Sequence, residues 1–269
     1  MISSELKDPY LIDSLFSPYA SLISKIEAGK DSFLLSIAKC EGACSTGDAY
    51  KLIPLISEVD DSLSYRLVNT GTLDKFSSKW GIKPISYLKK DLGYQPLKPL
   101  VNIAQFEGLF GNAYITKAKG PKIIMKGLNL LDAFVDEQGI YLPGKTTLVI
   151  NSTNVESLFF LSAILNSSLS IFYIKNKYSS SSYCGGITFT KDMINQLPIP
   201  SLEEWERSKL ITLAQEATLS KQRNNNASIS HILKEIDVLI NKAFKLSYDE
   251  VLIADPETSI TREEYGQAK

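Results

Sequence analysis

The residues best suited to chemistry lie close together in the run 65–92, YRLVNTGTLDKFSSKWGIKPISYLKKDL, where cationic side chains alternate with rings and tight turns. Arg66, Lys75, Lys79, Lys83, Lys89 and Lys90 can neutralise phosphates, and Asn69, Thr70 and Thr72 can reach phosphates or base edges. Phe76, Trp80 and Tyr87 give the run rings to pack on, Trp80 being read as a core anchor ahead of a base-stacking ring. Gly71 and Gly81 let the backbone come close. This is the chemistry of a nucleic-acid contact surface.

Charge is distributed to match. The chain carries 29 basic and 30 acidic residues, but residues 62–130 hold 11 basic against 3 acidic groups, a block of +8 on a background of −9. Such asymmetry speaks about partners, not fold. Lysines also flank 117–126, KAKGPKIIMK, where Ile123, Ile124 and Met125 read as a buried strand whose ends can face a polyanion, so Lys122 and Lys126 join the backbone-contact set. The polar loop 178–186, YSSSSYCGG, follows Lys175 and Lys177 and suits a loop that orders on a partner, as well as a plain surface loop.

Other chemistries find little support. Cys40 and Cys44 form a CxxxC, but Cys184 and the single His231 lie far off and no second pair exists, so no metal site is expected. Transfer of a methyl group to a base amine would call for an Asn/Asp-Pro-Pro-aromatic motif, yet no two prolines are adjacent. A metal-dependent nuclease would call for a carboxylate followed by Glu-x-Lys, and the candidate Glu5-Leu6-Lys7 has no room upstream. Nothing near His231 supports a nucleophile. The expectation is a chain without catalytic activity and without a cofactor. Gly144-Lys145-Thr146 lacks the upstream glycine spacing of a phosphate loop. No apolar run approaches the roughly 18 residues that span a bilayer. The start, MISSELKDPYLIDS, has no export pattern, and three cysteines suit a reducing compartment, so a cytoplasmic protein is expected.

The elements that must position the basic run read as follows. Ser17-Pro18 opens a short helix carrying Leu15, Tyr19, Leu22 and Ile26 and stopped by Gly29. Residues 42–47 form a turn that can face a ligand, and the apolar run after it suits a strand. A second strand candidate spans 142–151, with a turn at Pro143-Gly144. Thr153 with Glu156 makes a capping box for a helix through Leu158, Leu161, Leu165, Leu169 and Phe172, with Asn166-Ser167 ending one helix and capping the next. Leu197-Pro198-Ile199-Pro200 forces extended backbone. Ser201 with Glu204 caps a helix to about Arg223, and Asn224-Asn225-Asn226 makes a turn. A second helix then places Ile229, Ile232, Leu233, Ile236, Leu239, Ile240, Ala243 and Phe244 on one stripe. That stripe needs a partner: the preceding helix, the mixed region, or a second subunit, which would make a homodimer. Ser247 with Glu250 starts a last short helix limited by Pro256, and the end reads as frayed.

The expected fold is therefore α+β, a mixed, largely antiparallel sheet with packed helices over 1–200 and a helical hairpin over 201–269. Three blocks, 67–90, 121–150 and 161–200, together resemble the TaqI-like C-terminal specificity domain, the target-recognition part of adenine-specific DNA methyltransferases in fused restriction-modification enzymes. The helical stretch from Ile236-Asp237 to Glu250 is similar to the tail of those proteins, and the likeness covers roughly 30–255. The resemblance implies a module that grips double-stranded DNA and presents it to a methyltransferase, and in some systems a nuclease, carried on a separate subunit or the same enzyme. On that reading Lys75, Lys79, Lys83, Lys89, Lys90, Lys122 and Lys126 touch the backbone, while Asn69, Thr70, Thr72, Ser181 and Tyr183 lie near bases. The competing expectation is an assembly module acting through the C-terminal helices.

Overall fold

The computed structural model describes residues 17–59, 63–178, 182–183 and 186–268. Helix α1 (Ala20–Ala28) buries Leu22, Ile23 and Ile26 and ends at Gly29, as its pattern predicts, but it starts two residues later than the expected Ser17-Pro18 opening, after Tyr19 and without a side-chain cap; Leu15 lies outside the described residues. Strands β1 (Lys30–Phe33) and β2 (Cys40–Gly42) follow. Ser45 then caps α2 (Thr46–Lys51), its hydroxyl accepting the Asp48 N–H at 3.0 Å. The apolar run expected as a strand continues as a 3-10 turn over Ile53–Leu55, leaving only β3 (Ile56–Ser57) extended. The cap upstream and Pro54 in the first turn favour the helical geometry.

The basic run begins in β4 (Ser64–Val68), turns through Thr70–Thr72, and forms a tight hairpin of β5 (Leu73–Asp74) and β6 (Ser77–Ser78). It continues into α3 (Lys89–Leu92), β7 (Leu100–Asn102), α4 (Ile103–Leu109) and α5 (Asn112–Ala118). Strands β8 (Lys122–Lys126), β9 (Ala133–Asp136), β10 (Tyr141–Pro143) and β11 (Thr147–Asn151) come next. The stretch 142–151 is thus two strands in two sheets, hinged at Gly144. A Cβ there would sit 2.7 Å from the Val68 carbonyl oxygen, which accepts the Gly144 N–H at 2.8 Å, so only glycine permits the approach.

Helix α6 (Val155–Asn166) takes its cap from Asn154, one residue later than expected, because the Asn154 side chain accepts the Ser157 N–H at 3.0 Å. Ser167 ends it and caps α7 (Ser168–Lys177), as the sequence predicts. Asn166 fixes the junction: its side chain exchanges hydrogen bonds with the Ala133 backbone in both directions, at 3.0 and 2.9 Å. Among the described residues no single helix is long and apolar enough to cross a membrane, and residues 158–166 of α6 are buried in the protein.

The remaining elements are β12 (Ser182–Tyr183), β13 (Gly186–Ile187), α8 (Lys191–Asn195), β14 (Pro198–Pro200), α9 (Glu204–Arg223), α10 (Ser230–Ala243), α11 (Tyr248–Ala254) and α12 (Arg262–Gln267). Glu203 with Glu206, not Ser201 with Glu204, forms the capping box of α9. A further helix stands where fraying was expected, since Thr261 and Glu264 box the start of α12 and Tyr265 is buried.

The protein is α+β. One four-stranded sheet runs β10-β4-β7-β3, another β2-β11-β8-β9, and the only parallel pairing among the described strands is β10 with β4. The largest core joins Ile123, Met125 and Ile150 of the second sheet to α6 and to Leu210, Leu213, Ile232, Ile236 and Ile240 of the last helices. The stripe on α10 therefore finds its partner inside the chain. The helices after residue 200 share this core with the elements before it, so no break in the core falls at the expected division between 1–200 and 201–269. A second core gathers Leu67, Val101, Phe106 and Leu142 around the first sheet. Between the two lies a small cluster of Val68, Leu73, Ile124 and Phe134, against which Trp80 and Tyr141 pack. Period-two alternation puts Leu67 into one core and Val68 into the cluster between them.

Candidate nucleic-acid interface

Arg66 stands on β4 opposite Leu100 and Tyr141, so its side chain leaves the exposed face where the sheet meets the hairpin. Its guanidinium lies 4.9 Å from the Trp80 ring centroid and 5.9 Å from that of Tyr141. The indole N–H of Trp80 donates to the Pro99 carbonyl at 3.0 Å, which locks the ring while leaving it half-buried. A cation held on aromatic faces in this way is partly desolvated and pre-positioned.

The segment after Trp80 carries the free lysines. Gly81, at φ +78°, turns the chain so that its N–H meets the Leu97 carbonyl, and Lys98 runs past it. Lys83, Lys89, Lys90 and Lys98 are exposed and make no ion pair among the described residues. Lys98 carried no assignment in the sequence reading, because it lies beyond the basic run; the backbone pairing of 81 with 97 brings it back.

The other expected contacts are committed within the protein. Lys122 is fully buried, paired with Asp136 at 2.7 Å and donating to the Ala118 carbonyl at 2.7 Å. Burial pulls its ammonium below the usual lysine range, and Asp136 opposes that shift. It cannot touch a phosphate. Lys126 pairs with Asp132, also largely buried. Lys75 donates to the Asn166 carbonyl at 2.8 Å, closing the C-terminal end of α6, where a cation is favoured. Lys79 is half-exposed and paired with Asp74 at 3.0 Å. Lys117 and Lys119, expected to help flank the buried strand, hold the Gly42 carbonyl and Glu107.

Asn69 and Thr72, expected near bases, are buried and bonded to each other across the turn, the Asn69 N–H donating to Thr72 Oγ1 at 3.0 Å and that hydroxyl to the Asn69 carbonyl at 3.1 Å. Thr70 reaches the surface, where its hydroxyl bonds the Thr146 carbonyl and accepts from Thr146 Oγ1 at 3.0 Å. Ser181 lies outside the described residues; Tyr183 pairs with Gly186 through its strand backbone.

Beside Arg66 opens a cleft of about 480 Å³. Its near wall is Arg66, Trp80, Tyr141 and the β5–β6 hairpin, and its far wall is the end of α9 with Asn225. The walls are tied together, since Asn225 Nδ2 donates to the Ser78 carbonyl at 2.9 Å and Lys221 Nζ lies 3.9 Å from the Asp74 carboxylate. The Ser77 hydroxyl and Asn225 Oδ1 are buried without a hydrogen-bond partner among the described residues. No sequence signal marks this cleft, because its walls are far apart in the chain.

Among the described residues no three His, Cys, Asp or Glu side chains are grouped to hold a metal ion. Burial pushes the Cys40 thiol up, and that of Cys44 up to about 11, so neither is a ready thiolate.

No family model matches the chain, and no curated protein does. Among solved structures, the type IIG restriction endonuclease BpuSI is similar at 11% identity and a TM-score of 0.47, over 92% of this chain and 34% of that one. The chain spans about a third of that protein's length.

Proposed function

We propose that this chain is a non-catalytic target-recognition module of a restriction-modification system, which grips double-stranded DNA and presents it to a methyltransferase, or nuclease, partner or domain. The observation that carries the reading is the set Lys83, Lys89, Lys90 and Lys98, together with Arg66 held over Trp80: exposed cations that make no ion pair among the described residues, in the one strongly basic block of the chain. The likeness of 67–90, 121–150 and 161–200 to target-recognition domains supplies the kind of duplex contact. The assembly reading loses its main support, because the α10 stripe is buried within the chain.

Anisotropy of a labelled duplex across a salt series tests the proposal. Four to five phosphate contacts give a slope of log affinity on log salt of about −4. Replacing Lys83, Lys89, Lys90 and Lys98 together by Glu abolishes binding while the fold persists. Absent or salt-independent binding overturns the reading.

A further inference from the structure

The cleft beside Arg66 has three features that bear on a ligand. Its walls offer a flat, partly desolvated plate, the guanidinium of Arg66 stacked on Trp80. Its charges cancel: Asp136 is engaged by Lys122 and Lys221 pairs with Asp74 at 3.9 Å, which leaves Arg66 matched by Glu137. Such a cleft favours a neutral polar occupant over a phosphate. Third, two of its lining residues hold unmet hydrogen-bonding capacity. Ser77, only 7% exposed, has a hydroxyl able to donate and accept, and Asn225 Oδ1 is an acceptor held in place by the bond that its amide nitrogen makes to Ser78. Buried polar atoms without partners are costly, and a ligand that satisfies them recovers that cost on binding.

We propose that this cleft receives a single unstacked nucleobase, its flat face on the Arg66–Trp80 plate and its donor–acceptor edge toward Ser77 Oγ and Asn225 Oδ1. The volume leaves room for such a ring system and for the sugar that carries it. The assignment deepens the nucleic-acid reading above and rests on it for the source of the base, which is a strand whose phosphates remain outside on the lysines. A free nucleoside shares the recognised chemistry.

The test uses the full chain carrying Trp205→Phe, which leaves Trp80 as the single tryptophan. Its fluorescence is followed with adenosine, and its affinity is measured for three hairpin duplexes: one with an unpaired adenine, the same with an abasic residue at that position, and one fully paired. The unpaired adenine is expected to bind about tenfold tighter than its abasic counterpart, the low end of what one stacked base contributes. Ser77→Ala is expected to remove that difference without lowering the melting temperature, because the hydroxyl has no partner to lose. Equal affinity for adenine and abasic duplexes, with no response to adenosine, overturns the proposal, as does a preference that survives Ser77→Ala. If no duplex binds but adenosine quenches Trp80 in a Ser77-dependent way, the nucleobase site stands with a free nucleoside as its source, and the duplex reading falls.

Discussion

A lysine in a sequence is a charge without an address, and this protein shows how much that matters. Lys83 and Lys122 lie in the same basic block, yet one is exposed and free of ion pairs while the other is enclosed with Asp136. Their neighbourhoods predict opposite phenotypes. Removing Asp136 strands the Lys122 ammonium and the N–H groups of Ile140 and Tyr141, which now donate to that carboxylate at 3.1 and 2.9 Å. Asp136→Ala is therefore expected to cost about 3–5 kcal/mol in urea unfolding. Lys83→Ala is expected to shift stability by no more than about 0.5 kcal/mol, while weakening duplex binding and reducing the salt slope by about 1. The run 65–92 was legible as cationic because composition survives folding. Which ammonium faces outward was not, because Asp136 and Asp132 meet their lysines only through the pairing of β8 with β9, and the Asn166 carbonyl comes from a distant part of the chain. The same holds for Asn69 and Thr72, whose side chains suit a base edge and a turn equally, and which the local turn claims.

Elements were readable where a local rule decides them. The Ser167 cap, the buried strand 122–126, the turn after Arg223 and the Ser247–Glu250 box all follow from neighbours within four residues. Where two caps competed, sequence position erred by one or two residues, as at Asn154 and Glu203. A long-range cap escaped notice altogether. The Asp237 carboxylate on α10 accepts the Ser168 N–H at 2.9 Å, tying the start of α7 to the C-terminal helices. Burial pushes this carboxyl from 3.8 up to about 6, against the opposing pull of that N–H and of Lys75. The native state thus holds a proton that the unfolded chain releases, so Asp237 makes the protein less stable as pH rises from about 4 to 6, with the penalty fully present above 6. Asp237→Asn keeps an acceptor for Ser168 and removes the titration. The difference in unfolding free energy between variant and wild type is expected to favour the variant at pH 7 and to shrink toward pH 4. Urea unfolding measured across that range checks it, and a difference that is flat with pH contradicts it.

At the scale of the whole molecule, the C-terminal helices act as a wall of the protein. Helix α9 packs on α6, α10 packs on both, and Leu210, Leu213, Ile232 and Ile236 share a core with Ile123, Met125 and Ile150. The hydrophobic stripe on α10 was visible in the sequence, but periodicity states only that a face must be covered, never by what. The division at residue 200 followed a change of composition, and composition does not see that α9 closes a cleft against the β5–β6 hairpin through Asn225 and Ser78. A fragment ending at residue 200 would expose the apolar faces that α6 and α7 turn toward the C-terminal helices. Such a fragment is expected to lose cooperative thermal unfolding and to bind an apolar dye, whereas the full chain unfolds in one transition. Ile236→Ala offers the graded version of the same test, since this residue is fully buried and such truncations cost about 2–5 kcal/mol. Because the same helices form the far wall of the cleft, loss of stability and loss of base binding should appear together on truncation, but separately in Ser77→Ala. That separation distinguishes a wall that supports the site from a residue that reads its occupant.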